Sequence, residues 1–294
     1  MHKAGFVNIV GSPNVGKSTL MNALVGERLS IITSKAQTTR HRIMGVVSGE
    51  DFQIVYSDTP GILRPNYRLQ QTMLRQVQGA VLDADVILYV TDTVEEGVQE
   101  RDGEIIERIN GSGIPTVVVI NKIDLATQQQ VEQLVDKWHA LLPASEIVAV
   151  SALGGFNVQG LFPLILSLLP EGEPYFPKDT LTDRSLRFFT SEIIREKILL
   201  NYDKEIPYCV EISVDEYKEL LDIDRISATI YVSRQSQKGI IIGRGGSMLK
   251  KVGTQARLDL ERFLDKKVFL QLQVKVSDDW RNDARSLRRF GYEE

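Results

Sequence analysis

The chain has 294 residues, 43% hydrophobic and 25% charged, the balance of a folded globular protein and more chain than one ordinary domain uses. Its single cysteine, Cys209, excludes an internal disulfide framework and a cysteine-rich zinc site. The formal charge of −4 averages two unlike parts: residues 1–180 hold 14 Lys+Arg against 20 Asp+Glu, about −6, whereas 225–289 hold 15 against 6, about +9, a balance suited to an anionic partner or to a solvated basic face.

The apolar runs at 116–120 and 161–169 fall far short of the ~20 residues that span a bilayer, and MHKAGFVNIVGS has no signal-peptide pattern. A cytoplasmic protein is expected. GFVNIVG reads as the first strand, rich in β-branched residues as a strand buried on both faces requires. It runs into Gly11-Ser12-Pro13-Asn14-Val15-Gly16-Lys17-Ser18, a complete G-x-x-x-x-G-K-S that opens a helix over 17–25. Its glycines free the loop to turn its N–H groups inward, toward phosphates, and the helix adds its positive end. Gly11 to Thr19 are therefore candidate phosphate-binding residues, with Lys17 reaching the β- and γ-phosphates and the Ser18 hydroxyl on Mg²⁺. The polar stretch TSKAQTTRHR follows, in which Thr39, or alternatively Thr38, would complete the Mg²⁺ shell.

The next strand, FQIVYSDTPG, ends in Asp58-Thr59-Pro60-Gly61. A carboxylate there can hold Mg²⁺ through water, and Gly61 can turn an N–H to the γ-phosphate, a contact only the triphosphate offers. Lys17, Gly61 and Thr39 are thus the candidate catalytic groups. Helices are expected over 68–82 and 100–110, with the strand DVILYVTD between them. The strand PTVVVI then delivers Asn121-Lys122-Ile123-Asp124. The Asp124 carboxylate can accept from N1–H and the 2-amino group of guanine, neither of which adenine offers, and two lost charge-assisted bonds cost roughly 1.5–3 kcal/mol each. Asn121 can tie neighbouring loops together, and the Lys122 stem can lie along the base. After a helix over 129–142 and the strand EIVAVSA, Ser151-Ala152 can offer a backbone N–H to guanine O6. Together these motifs favour GTP over ATP. A last helix covers 158–169, and the alternation argues a mostly parallel sheet with helices on both faces.

The pattern stops at Pro170. PEGEPYFPKDTLTD, with Pro170, Pro174 and Pro177, reads as a linker. Beyond it come a helix over 183–200, strands in PYCVEISVDEY and RISATIYVSR, a glycine-rich turn, a helix over 247–264 and a strand near 268–276. Gly243-Arg244-Gly245-Gly246 between helical pieces, in that order of elements, is the pattern of a type II KH domain. Its glycines, with Arg244, would let a single-stranded RNA backbone approach. Ile240, Ile241 and Ile242 would offer apolar surface to bases, and Lys238, Lys250, Lys251 and Arg257 form either a phosphate track or a solvated helix face.

The segments GSPNVGKSTLMNAL, QTTRHR, DTPG, NKID and SAL, in this order, resemble the TrmE–Era family of translation-factor-like GTPases. The likeness runs on through PEGEPYFPKDTLTD and VSRQSQKGIIIGRGG, so it covers almost the whole chain and is closest to the members that carry a KH domain. It implies an α/β P-loop GTPase domain over 1–170, a linker over 171–182 and an α+β type II KH domain over 183–294. It further implies hydrolysis of GTP to GDP, binding of the 3′ end of 16S ribosomal RNA, and a role in 30S assembly with a link to cell-cycle control. A monomer, in peripheral contact at most with the inner face of the membrane, completes the expectation. Ile62 stands where Ras-like switches place a water-orienting glutamine, a replacement the family shares. Water would then be positioned by backbone groups or a partner, and intrinsic hydrolysis would be slow. Asn14 matches a position that binds K⁺ in related GTPases, although a plain turn residue would also fit there. Trp138 reads as core, His41 and His139 as structural or surface residues, and Trp280 as either an RNA contact or part of a C-terminal packing element.

Overall fold

The computed structural model describes residues 2–94 and 102–292. It divides into two compact units: the chain up to Asn66 with Met73–Asp183, and Tyr67–Thr72 with the chain from Arg184 onward.

The first unit is built on six strands: β1 (Lys3–Gly11), β2 (Ile43–Ser48), β3 (Phe52–Asp58), β4 (Val86–Asp92), β5 (Thr116–Asn121) and β6 (Glu146–Ala149). They lie in the order β2-β3-β1-β4-β5-β6, parallel except for β2. The helices are α1 (Lys17–Val25), α2 (Arg68–Leu82, of which the unit holds Met73 onward), α3 (Gly103–Ser112), α4 (Gln128–Leu141) and α5 (Val158–Leu168). The helix expected over 100–110 begins at Glu100, outside the described residues, and α3 is described from Gly103. Trp138 is buried beside Tyr89, ring centroids 5.0 Å apart, in a core shared with Val10, Ile87 and Ile120.

β2 was not among the expected strands. Its apolar run is only IMGVV, and it pairs antiparallel along β3, from Ile43 opposite Asp58 to Ser48 opposite Gln53. The open edge of β3 supplies the hydrogen-bond partners, information the local sequence does not carry. The proline-rich segment read as a linker is itself strapped to the first unit. Ala4 N–H donates to Pro170 O (3.2 Å) and Gly172 N–H to His2 O (3.1 Å). The Gln53 amide brackets Phe176, donating to its carbonyl (2.8 Å) and accepting from its N–H (2.9 Å). Farther along, Val46 N–H donates to Leu181 O (2.8 Å) and Thr182 Oγ1 to Met44 O (2.6 Å).

The second unit runs α6 (Leu186–Asn201), α7 (Ile206–Cys209), β7 (Glu211–Glu219), β8 (Ile223–Val232), α8 (Gln235–Ile242), α9 (Ser247–Leu264), β9 (Lys267–Val276) and α10 (Ala284–Arg289). β7 pairs antiparallel and β9 parallel with β8. The parallel pair needs a crossover, which α8 and α9 supply. Cys209, expected in a strand, ends the short helix α7 and lies in the core with Ile194, Ile230 and Ala256. Trp280 is fully buried and its Nε1–H donates to Cys209 O (2.9 Å), so it packs the C-terminal segment and offers no face to RNA. Among the described residues, no helix is long and apolar enough to cross a membrane.

Candidate functional site

At the carboxyl end of β1 the chain turns through residues 11–16 into α1. Gly11 (φ 147°), Asn14 (φ 66°) and Gly16 (φ 97°) all take backbone angles with positive φ. A side chain at Gly11 would stand 2.1 Å from Val90 O, and one at Gly16 would stand 2.2 Å from Asn121 Nδ2. Both glycines are therefore required twice over, by conformation and by space. The concave run of N–H groups and the start of α1 make an anion seat. Lys17 is buried across it, its Nζ donating to Gly11 O (3.0 Å) and Ser12 O (2.7 Å). The Ser12 hydroxyl is held by both carboxylate oxygens of Asp102 (2.9 Å each), and the Val15 side chain is in the core, so these two residues offer the seat their backbone. Pro13 has no N–H and only shapes the wall.

Ser18, Thr39 and Asp58 meet at the next position. Ser18 Oγ donates to Asp58 Oδ2 (2.7 Å) and lies 2.8 Å from Thr39 Oγ1, which donates to the same carboxylate oxygen (3.2 Å). Thr38 is engaged elsewhere, with Thr33 Oγ1 (2.6 Å) and Lys35 O (2.5 Å). Asp58 is fully buried, and its Oδ1 has no hydrogen-bond partner among the described residues. Burial pushes its carboxyl above the usual range, against the Ser18 hydrogen bond and the Lys17 charge, which pull it down. Two hydroxyls and a carboxylate with a spare oxygen form a hard-oxygen donor set, and they fit Mg²⁺. Thr59 staples the following loop to β1 through Ile9 O (2.7 Å), and a Cβ at Gly61 would collide with Pro13 at 2.8 Å. Pro60 is buried beside it. Ile62 does not face this site. Its N–H donates to Gly11 O (3.1 Å) while its side chain is fully buried with Val77 and Tyr89.

The base end is assembled by Asn121. Its amide donates to Val15 O (2.8 Å) and accepts from Ala152 N–H (2.9 Å), joining the phosphate loop to the Ser151-Ala152 loop. Ser151 and Phe156 exchange backbone bonds (3.1 and 3.0 Å), which closes that loop. Lys122, at φ 61°, donates to Asn14 O (2.6 Å) and pairs with the buried carboxylate of Asp92 (2.5 Å). Asp92, at the end of β4, drew no attention in the sequence because its partner lies thirty residues on. Asp124 is exposed on a short turn, Ile123–Leu125, at the mouth of a cavity of about 590 Å³ that Lys17, Ser18, Thr39, Asn121 and Leu153 also line. That volume suits a nucleotide.

In the second unit, α8 ends at Gly243 (φ 73°, ψ 173°), and Gly245 and Gly246 are also left-handed before α9 starts. A Cβ at Gly243 would stand 2.7 Å from the Met248 side chain. Arg244, Lys250 and Lys251 are exposed and Lys238 is half-buried, whereas Arg257 is paired with Glu261 (2.8 Å). Ile240 is exposed and Ile242 half-buried. Ile241 requires a correction: it is fully buried in the core and cannot meet a base. On a helix, successive side chains point about 100° apart, so three in a row cannot share one face.

Family models agree with this division: that of the 50S ribosome-binding GTPases matches residues 6–122 and that of the KH domain residues 205–281. The GTPase Era of Syntrophus aciditrophicus (strain SB) is 46% identical over 296 residues, covering 100% of this chain and 96% of the relative. That of Alkaliphilus metalliredigens (strain QYMF) is 44% identical, covering 99% of each. The chain belongs to the Era family of GTPases. It is a GTP-hydrolysing enzyme with a KH domain C-terminal to its G domain. Two solved Era structures superpose on it along the whole chain, each 42% identical. One, a tyrosine-to-alanine variant from Aquifex aeolicus bound to GDP and AlF4⁻, gives a TM-score of 0.94 and covers 99% of this chain and 100% of its own. The other, in complex with MgGDPNP and nucleotides 1506–1542 of 16S ribosomal RNA, gives 0.95 and covers 100% of both.

Proposed function

We propose that this chain is a guanine-nucleotide switch that binds the 3′ end of 16S ribosomal RNA through its KH domain and acts in assembly of the 30S subunit. The observation that carries this reading is the left-handed Gly243–Gly246 turn between two helices, in a chain alike along its whole length to an Era that holds that RNA. The N–H groups of the Gly11–Ser18 loop, Pro13 excepted, and the Lys17 ammonium take the phosphates, and Asp124, with Asn121 and Ala152, reads guanine. Ser18, Thr39 and Asp58 would hold Mg²⁺, which when bound neutralises charge on the β- and γ-phosphates. Lys17 and the Gly61 N–H stabilise the charge that develops on the departing phosphate oxygens. With Ile62 in the core, backbone groups or a partner orient the attacking water, and unassisted turnover is slow. Asn14, exposed at the loop's apex, is the group we assign to K⁺; equal hydrolysis rates in Na⁺ and K⁺ buffers would contradict that.

The exposed Arg244, Lys250 and Lys251 supply phosphate contacts, and Ile240 and Ile242 the apolar surface. The reading extends to a cytoplasmic monomer whose membrane contact, where it occurs, is peripheral. Its test is binding of a labelled 3′-end 16S oligonucleotide to the full chain with GTP analogue bound. Tight binding that a scrambled oligonucleotide does not reproduce is expected, and equal binding of both would refute the assignment.

A further inference from the structure

The loop that carries Thr39 is fastened at both ends by side chains to which no nucleotide contact is assigned above. At its entry Asn22, on α1, accepts from the N–H groups of Leu29 (3.0 Å) and Ser30 (2.9 Å) and donates to Ser30 O (2.8 Å). At its exit stands Arg42, just before β2. Its backbone N–H donates to Gln76 Oε1 (3.0 Å). Its guanidinium donates through Nε to Ser57 Oγ (2.5 Å), through Nη2 to Asn8 Oδ1 (3.0 Å), and through both terminal nitrogens to Asp83 (2.5 and 3.0 Å). Asn8 in turn donates to Ala80 O (2.6 Å) and Asp83 Oδ1 (2.7 Å).

One planar fork thus joins the exit of the Thr39 loop to β1, to β3 and to Asp83 just past the end of α2, the helix that follows Gly61, while the Arg42 backbone N–H holds Gln76 within that helix. We propose that Arg42 is a positioning residue for the triphosphate state, coupling the loop that carries Thr39 to the segment that carries Gly61. This rests on the assignment of Thr39 and Gly61 to the γ-phosphate side of the site. Asp83 is 55% exposed, so the ion pair alone is worth little. The shielded bonds to Ser57 and Asn8 need nitrogens held in fixed directions, which an arginine has and a lysine lacks. The hydrogen bonds of Arg42 described above run to β1, β3, α2 and Asp83 and not to residues 11–18, so their loss should fall on the γ-phosphate side of the pocket.

The test compares the full-length wild type with Arg42→Gln, Arg42→Lys, Asp83→Asn and Thr39→Ala. Affinities for GDP and for a non-hydrolysable GTP analogue with Mg²⁺ are measured, together with single-turnover hydrolysis. Arg42→Gln should weaken the analogue and slow hydrolysis by about tenfold, as expected when a group reaching the reacting phosphate loses its placement, with GDP affinity within about twofold. Arg42→Lys should not restore the difference, and Asp83→Asn, at an exposed position that spares the fold, should shift it the same way by less. Equal loss for both nucleotides, or none, while Thr39→Ala selectively weakens the analogue would overturn the coupling and leave the site reading intact. If Thr39→Ala itself leaves the ratio unchanged, the site reading fails and the proposal falls with it.

Discussion

Asp58 carries opposing demands at the scale of one side chain. It is buried, which favours its protonated form, yet the Mg²⁺ role proposed for it needs it ionised. A carboxyl whose pKa is raised on folding contributes stability below the ordinary carboxylate range and loses it as pH rises through the folded value. In metal-free buffer Asp58→Asn should therefore match or exceed the wild type in thermal stability at neutral pH, and the gap should close as pH falls. Added Mg²⁺ with nucleotide should stabilise the wild type and not the variant; scanning calorimetry reads both. At the other end of the pocket, Asp124→Asn should cost about 2–4 kcal/mol of GTP affinity by removing two charge-assisted bonds, and should gain xanthosine triphosphate, whose 2-oxo group accepts from the new amide. Competition binding with the two nucleotides distinguishes this from simple damage. The motif residues that line the pocket were legible because the chemistry expected of a nucleotide site dictates their types and spacing. Asp92, Asn22 and Arg42 were not, because what they do depends on partners that only the fold brings near.

At the scale of elements, the strand ends and helix starts that carry motifs were readable from apolar runs and glycines, and α1, α2 and α9 fall where the periodicity puts them. β2 was hidden because an edge strand takes its pairing from a neighbour. Ile241 was misread because a run of three isoleucines says nothing about which faces of the helix are covered. Ile62 illustrates both lessons: the motif marks its position, but the core claims its side chain. Ile62→Ala should lose about 2–4 kcal/mol in denaturant unfolding, the cost of a cavity at a fully buried branched residue. Hydrolysis per folded molecule should stay within a few-fold of the wild type, and its abolition would mean that Ile62 serves the chemistry. At the G-x-x-G turn, Arg244→Ala should weaken RNA binding regardless of sequence and flatten its dependence on log salt by about one unit, as the loss of one phosphate contact does.

At the scale of the molecule, the acidic early residues and the basic stretch over 225–289 divide along the two units, one with a nucleotide seat and one with a basic turn suited to a polyanion. The charge asymmetry along the sequence follows the same division. The strapped segment after Pro170 was not visible, because its prolines mark the end of the periodic pattern and not where the chain then docks. A nucleotide switch that acts on RNA must show each ligand changing the other's affinity by the same factor. The most direct measurement is the affinity of the full chain for the 3′-end 16S oligonucleotide, titrated in parallel with Mg²⁺ and GTP analogue and with Mg²⁺ and GDP. A difference of at least about fivefold between the two nucleotides is predicted, the lower end of ordinary allosteric coupling. Identical affinities would contradict the switch and leave two domains that share a chain without sharing a function.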